Sequence, residues 1–234
     1  MAGGDGSLAG VASVALERDL PFVCVPFGTR NHFARDLGVN SEDPLAALSA
    51  FQGQERRIDV GVVGKRLFLN SVSLGLYASF VHDPRRKTRN RLIAFLRMVP
   101  AAIGRSRRPL KLSFEIEGHR EGYATPVVLV ANNAYRLESL ADLGERPRLD
   151  EGLLHAYVVE AVSRWDLLAL LARAAFGDVN RAEGLVERSA KALRIEGSRP
   201  TLHAAIDGEP VVLEAPLEFE IRPRALRVLL PAES

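Results

Sequence analysis

The chain has 234 residues, enough for one large domain or two small ones, and its 47% hydrophobic and 26% charged residues are an ordinary globular balance. One cysteine, Cys24, excludes an intrachain disulfide and a cysteine-rich zinc site, and a net charge of +2 is too small to point to nucleic acid. No apolar run approaches the ~20 residues of a membrane span, and no basic-then-apolar leader opens the chain, so a soluble, cytoplasmic protein is expected.

The first segment is GGDGS, Gly3 to Ser7. Glycine runs of this kind cradle phosphates when they follow a strand and lead into a helix. A helix is expected next, over LAGVASVALERD, with Leu8, Val11, Val14 and Ala15 on one face, but no strand is expected ahead of the glycines. PFVCVP reads as one short buried strand holding Cys24. GTRNHFARDLG is a loop turning into a helix that closes at Gly38. SEDPLAALSAFQ is a further helix, capped by Ser41 or Asp43 with Pro44 in its first turn.

Around Arg57 the pattern changes to strands. IDVGVVGKRLFLNSVSLGL holds two strands joined at Gly64-Lys65. From Pro84 to Arg108 come nine basic residues and no acid. That segment, expected to be helical between Arg89 and Ile103, is either a solvated face or a surface for phosphate or anionic membrane, the latter through Arg85 to Arg108. In PLKLSFEIEG, Leu110, Leu112, Phe114 and Ile116 alternate with polar residues, so one face meets a core. SRWDLLALLARAAFG is a helix from a Ser163 cap to Gly177, and the tail after it is a run of short strands. The expected fold is an incomplete α/β domain over 1–57, followed by a β-sandwich-like domain with inserted helices over 58–234. Its last strand is expected to pack back on the first domain.

Two polar stretches occur where structure alone does not require them. PFGTRN, Pro26 to Asn31, ends a buried strand, the place where open α/β sheets bind ligands. There Gly28 allows backbone close to a phosphate, and Thr29 and Asn31 offer a hydroxyl and an amide; the plainer reading is a turn capped by Asn31. In IDGEPV, Asp207-Gly208 is first of all a hairpin turn, and Glu209 just after it is a carboxylate that could serve as a general base.

GGDGS, VPFGTRNHFARDLG, RRIDVGVV, VANN, LDEGLLHAYVV and IDGEPV stand in the order and spacing of the diacylglycerol kinase catalytic family, which the chain resembles from Gly3 to Pro231. That resemblance implies an ATP- and Mg²⁺-dependent kinase that transfers the γ-phosphate to a lipid hydroxyl. Gly3, Gly4, Asp5, Gly6 and Ser7 would line the nucleotide phosphates with Gly28, Thr29 and Asn31. Glu209 would deprotonate the lipid hydroxyl, with Asp5 the competing base or an organiser of Mg²⁺. A structural Mg²⁺ would be held by Glu151 and the backbone oxygens of Arg148 and Leu153.

Three departures accompany the resemblance. His32, an imidazole able to carry positive charge, follows Asn31 where the family has aspartate. Glu151 replaces a shorter carboxylate. The strand and NPxSG-type loop that precede GGDG in the family have no counterpart before Met1-Ala2, so the nucleotide domain is expected to be truncated. Its open edge would be covered by a second copy of the chain, by rearrangement, or by residues encoded upstream. The alternative reading is a non-catalytic module that binds lipid or anionic membrane; a soluble NAD-type kinase shares the GGDG loop but does not account for PFGTRN and DGE.

Overall fold

Short apolar runs punctuated by Gly, Pro and Asp-Gly become strands here. The computed structural model describes residues 1–28, 31–39, 43, 45–75, 110–136, 145–160 and 184–231, and arranges these strands in three sheets. A small α/β region comes first: β1 (Ala2–Gly3), α1 (Asp5–Glu17), β2 (Phe22–Val23), β3 (Val25–Pro26), α2 (His32–Asp36) and a 3-10 helix (Ala46–Gln52). β1 runs parallel to β3, and the Met1 ammonium donates to the Val23 carbonyl at 2.7 Å. A two-residue strand therefore does lead into the glycine run, taking up its first residue, Gly3, contrary to expectation; two residues are too few to show a period.

Other boundaries shift for physical reasons. α1 starts inside the glycine run, at Asp5, and its buried stripe is Leu8, Ala12 and Ala15, at helical spacing. Val11 and Val14, expected on that stripe, are 38% and 48% exposed. PFVCVP divides at Cys24, because β2 pairs with a strand from the end of the chain and β3 pairs with β1. The expected helix after Asp43 is 3-10, and Asp43 opens it by accepting from the Leu45 and Ala46 amides at 3.1 and 3.2 Å. Ser41, Pro44, the two helices expected at 89–103 and 163–177 and the whole basic segment lie outside the described residues.

The larger region is a sandwich. One face is a six-stranded antiparallel sheet. Its order is β11 (Leu185–Ala190), β10 (Leu154–Val159), β9 (Val127–Asn132), β6 (Ser71–Gly75), β13 (Thr201–Ile206) and β14 (Glu209–Glu214). The other is a seven-stranded sheet. It runs through β5 (Arg66–Phe68), β4 (Gln54–Val63), β15 (Leu217–Leu230), β12 (Ala192–Gly197), β7 (Leu110–Ile116) and β8 (His119–Thr125), with β2 added alongside β15. Between them lies a core built on Phe68, Val72, Leu74, Phe114, Val130, Leu154, Ile195 and Phe219. The Gly64-Lys65 turn joins β4 to β5 as expected. The turns at Glu117-Gly118 and Asp207-Gly208 have positive φ at both central residues (51° and 79°; 47° and 84°), the hairpin conformation that follows strand twist.

β4 and β15 are long enough to serve two cores. Phe219 and Ile221 belong to the sandwich, while Leu226 and Val228 pack with Leu8, Phe22, Phe33, Ile58 and Val60 in the core of the α/β region. The division expected between residues 57 and 58 falls inside β4. Between the pairs Arg222–Val60 and Leu226–Ile58, β15 uses two more residues than its partner and bulges.

Gly61, in RRIDVGVV, pairs directly with Phe68, and a Cβ there would fall inside the Phe68 ring. Phe68 is fully buried and meets Phe219 edge-on at 6.4 Å between centroids. Gly61→Ala should therefore destabilise the protein by about 1–3 kcal/mol through overpacking, read as a lower urea midpoint at unchanged slope.

Candidate active site

Motifs more than 170 residues apart in sequence converge at one end of the sandwich. The turn at Gly28 passes the glycine run so closely that a Cβ on Gly28 would overlap the Gly4 backbone. Asn31, in the left-handed conformation, accepts from the Gly28 amide through Oδ1 at 2.7 Å and makes no side-chain cap to α2. Asp5 supplies that cap instead: its carboxylate accepts from the amides of His32 at 3.1 Å and Phe33 at 3.0 Å. Ser7 Oγ donates to the Gly4 carbonyl at 2.9 Å, which tightens the entry to α1.

IDGE arrives from the far end of the chain. Ile206 and Glu209 are paired across the turn, and Val211 and Leu213, in phase with Glu209, pack against the sandwich core. Glu209 is thus the first residue of the inward-facing row, at the end of the sheet next to the α/β region. Its exposed side chain lies against Gly6, where any Cβ would overlap it. The glycine run and the DGE carboxylate meet at that contact.

The turn itself is anchored by Asp207, which is buried and accepts three backbone hydrogen bonds. They come from Leu69 at 2.8 Å, Asn70 at 2.7 Å and Ser71 at 3.0 Å. The same loop is held from its other side by Arg146, a guanidinium with no exposed side-chain surface. Arg146 donates to the Leu69 carbonyl at 2.6 Å, the Asn132 carbonyl at 2.9 Å, Asn70 Oδ1 at 2.8 Å and Asp36 Oδ2 at 2.7 Å. It also stacks 5.5 Å from the Tyr135 ring centre. Burial works against its charge, but Tyr135 and the Asp36 carboxylate more than offset this, and the group stays cationic. Asp36 closes α2, so the helix capped by Asp5 at one end is tied to the Asp207 loop at the other.

Two further carboxylates mark the matched motifs. Asp59 of RRIDVG is fully buried and accepts from the Gly152 and Arg224 amides, each at 2.7 Å, so it fastens the β15 bulge. Glu151 accepts from the Ala134 amide at 3.2 Å and lies 3.6 Å from His155 Nε2. The Leu153 carbonyl accepts from Asn133 at 3.0 Å, and the Arg148 guanidinium contacts Asp150 at 3.4 Å. Arg148, Glu151 and Leu153 all lie on the stretch that leads into β10. Among the described residues, no three His, Cys, Asp or Glu side chains are grouped to hold a metal ion by themselves.

Of the residues singled out in sequence, Gly3, Gly4, Asp5, Gly6, Ser7, Gly28, Asn31 and Glu209 gather here, and Thr29 lies outside the described residues. The Arg35 guanidinium, which can only donate, reaches His32 Nδ1 at 2.6 Å. Sequence reading missed Asp36, Asn70 and Arg146, whose partners are distant in the chain. Asp59 had a signal, a lone charge inside an apolar strand pattern. Cys24 is buried and remote from reactivity, its thiol pushed up to about 12 by burial and by Asp5.

Arg146→Ala would strand the Asp36 carboxylate and three backbone or amide acceptors, and should cost about 3–5 kcal/mol in chemical unfolding. Asp207 carries a pH signature. Burial pushes its carboxyl from 3.8 up to about 6, against the pull of its three amide donors, so folding favours the neutral form. That contribution is full below pH 3.8 and is lost as pH rises through 6. The melting temperature of the native protein minus that of Asp207→Asn should shrink across this window; a difference that widens would mean folding favours the charged form.

Comparison with known proteins places this arrangement. The diacylglycerol kinase catalytic domain matches residues 1–63, and the YegS C-terminal NAD kinase β-sandwich-like domain matches residues 71–230. A protein of Pseudomonas aeruginosa (strain UCBPP-PA14) described as a "probable lipid kinase YegS-like" is 32% identical over 245 residues, spanning 99% of this chain and 76% of its own. The diacylglycerol kinase of Bacillus subtilis is 26% identical over 243 residues, spanning 99% and 77%. In fold, a crystal structure of a diacylglycerol kinase from Bacillus anthracis superposes with a TM-score of 0.72 at 19% identity, over 98% of this chain and 76% of that one. A yeast NADH kinase shares the fold more distantly, with a TM-score of 0.52 at 13% identity over 100% and 60%. The chain belongs to the YegS-like, diacylglycerol kinase family of lipid kinases.

Proposed function

We propose that this protein transfers the γ-phosphate of ATP to the hydroxyl of a lipid, with Glu209 as the general base. The observation that carries this reading is the Gly6–Glu209 contact, which sets a carboxylate against a glycine run of the kind that receives phosphates. The N-terminus of α1 provides backbone N–H groups and a positive dipole end for the nucleotide phosphates, and the close passage of Gly28 by Gly4 leaves the two loops as one lining. Thr29, next to Gly28 in the sequence, would complete that lining in this reading.

The two candidate bases differ in their commitments. Both oxygens of Asp5 already accept from α2 amides, a structural duty that holds the two loops together. Glu209 is exposed at the mouth of the site. It takes the proton of the acceptor hydroxyl while that oxygen bonds to the γ-phosphorus and the bond from phosphorus to the ADP oxygen breaks. Mg²⁺ would arrive with the nucleotide, since such ions need only one or two carboxylates beside the phosphates, and it would neutralise phosphate charge. Asp5 would orient that ion's water shell. Glu151 and the backbone oxygens of Arg148 and Leu153 would hold a second, structural Mg²⁺ through their remaining acceptor sites.

The test is transfer of labelled phosphate from ATP to diacylglycerol in mixed micelles with and without Mg²⁺. Glu209→Gln should lower kcat about 10²–10⁴-fold, the usual worth of a general base, with ATP affinity unchanged. Undiminished turnover in that variant would remove Glu209 from the role.

A further inference from the structure

We infer that Asp207 is a positioning residue: it anchors the turn that sets Glu209 against the phosphate-loop residue Gly6. This deepens the reading above and rests on it for the role of Glu209, though not for the geometry. Asp207 stands at the first turn position with φ of 47°, a conformation that costs a residue other than glycine energy and persists only when its surroundings impose it. The surroundings do so here. Three consecutive amides, those of Leu69 and Asn70 in the β5–β6 connection and of Ser71 at the start of β6, converge on its carboxylate, and its own amide donates to the Ser71 carbonyl at 2.9 Å. A tight Asp-Gly turn needs none of these bonds to form.

What the bonds add is location. They fasten the turn to the strand pair that carries Gly61 and Phe68, and through Asn70 and Leu69 to Arg146, Asp36 and α2. α2 in turn is capped by Asp5, the neighbour of Gly6 in the glycine run. The contacts therefore close a ring that starts at the phosphate loop and returns to it through Glu209. The Asp207 carboxylate joins the tip of the late hairpin to this ring. Without it the hairpin keeps its own pairing and its ladder to β6 as far as Ile206–Val72, but the turn beyond that ladder loses the three side-chain bonds that hold it relative to Gly6.

The experiment reads the position of Glu209 without relying on activity. Gly6→Cys and Glu209→Cys together place two thiols at the contact, and oxidised glutathione closes them into a disulfide at a rate that reports their proximity. Cys24, buried and with its thiol pushed up to about 12, does not compete. Adding Asp207→Asn, which suits a left-handed turn and keeps one acceptor oxygen, should slow closure by about tenfold or more, the weight of roughly one lost buried hydrogen bond, while circular dichroism shows a folded protein. Asp207→Ala should slow it further where that variant folds. Closure at the native rate in folded Asp207→Asn would overturn the proposal.

In lipid phosphorylation, Asp207→Asn should lower kcat with KM for ATP unchanged, and should add little to Glu209→Gln in the double variant. Full additivity would mean Asp207 does not act through Glu209. If Glu209→Gln alone stays fully active, the base assignment falls, and the closure rates still decide what Asp207 does.

Discussion

Everything at this site depends on moving one guanidinium out of water. Arg146 loses its hydration completely, and a cation in that position is tolerated only when each N–H direction meets an acceptor. Four groups from separate parts of the chain supply them: the Asp36 carboxylate, the Asn70 side chain and the carbonyls of Leu69 and Asn132. Because the planar fork fixes the directions, it also fixes where those four groups stand relative to one another. Lysine, with one charged point, would not impose the same arrangement.

The carboxylates do the complementary work. Asp5, Asp59 and Asp207 each accept from backbone amides of a segment far away in sequence, holding a helix start, a bulge and a strand connection respectively. Buried amides at a helix start, a bulge and a strand connection have no ladder partner, so a carboxylate is the compact way to satisfy two or three of them at once. The acidic residues of the matched motifs thus have structural duties besides any chemistry. Glu209 differs from them in being exposed, which is the property expected of a group that must reach a substrate.

Much of this was legible in the chain. The alternation of Leu112 and Phe114 with polar neighbours, the Gly64-Lys65 turn and the Asp-Gly hairpin all appeared as read, because each depends on interactions within a few residues. The meeting of the glycine run with PFGTRN and with Glu209 was legible only through the resemblance, which supplied the order of motifs. The misreadings share a cause. Val11 and Val14 fit a helical stripe as well as Ala12 does, and only the position of β15 and β5 decides which face of α1 is covered. β1 and the split at Cys24 depend on strand partners elsewhere in the chain. Arg146 lies in RPRLDEG, where nothing local marks a charge destined for full burial, and Asn31 looked like a helix cap until Asp5 was found in that place.

The shared strands β4 and β15 have a mechanical consequence. Enzymes with two lobes often close on their substrates by bending at a flexible connection, but here two strands of one sheet run unbroken through both cores, with a two-residue bulge pinned by Asp59 at the crossing point. Bending there would break ladder bonds and expose a buried carboxylate. A hinge at that crossing would work against the ladder, and the continuous strands couple the two cores, so damage to one is expected to be felt in the other.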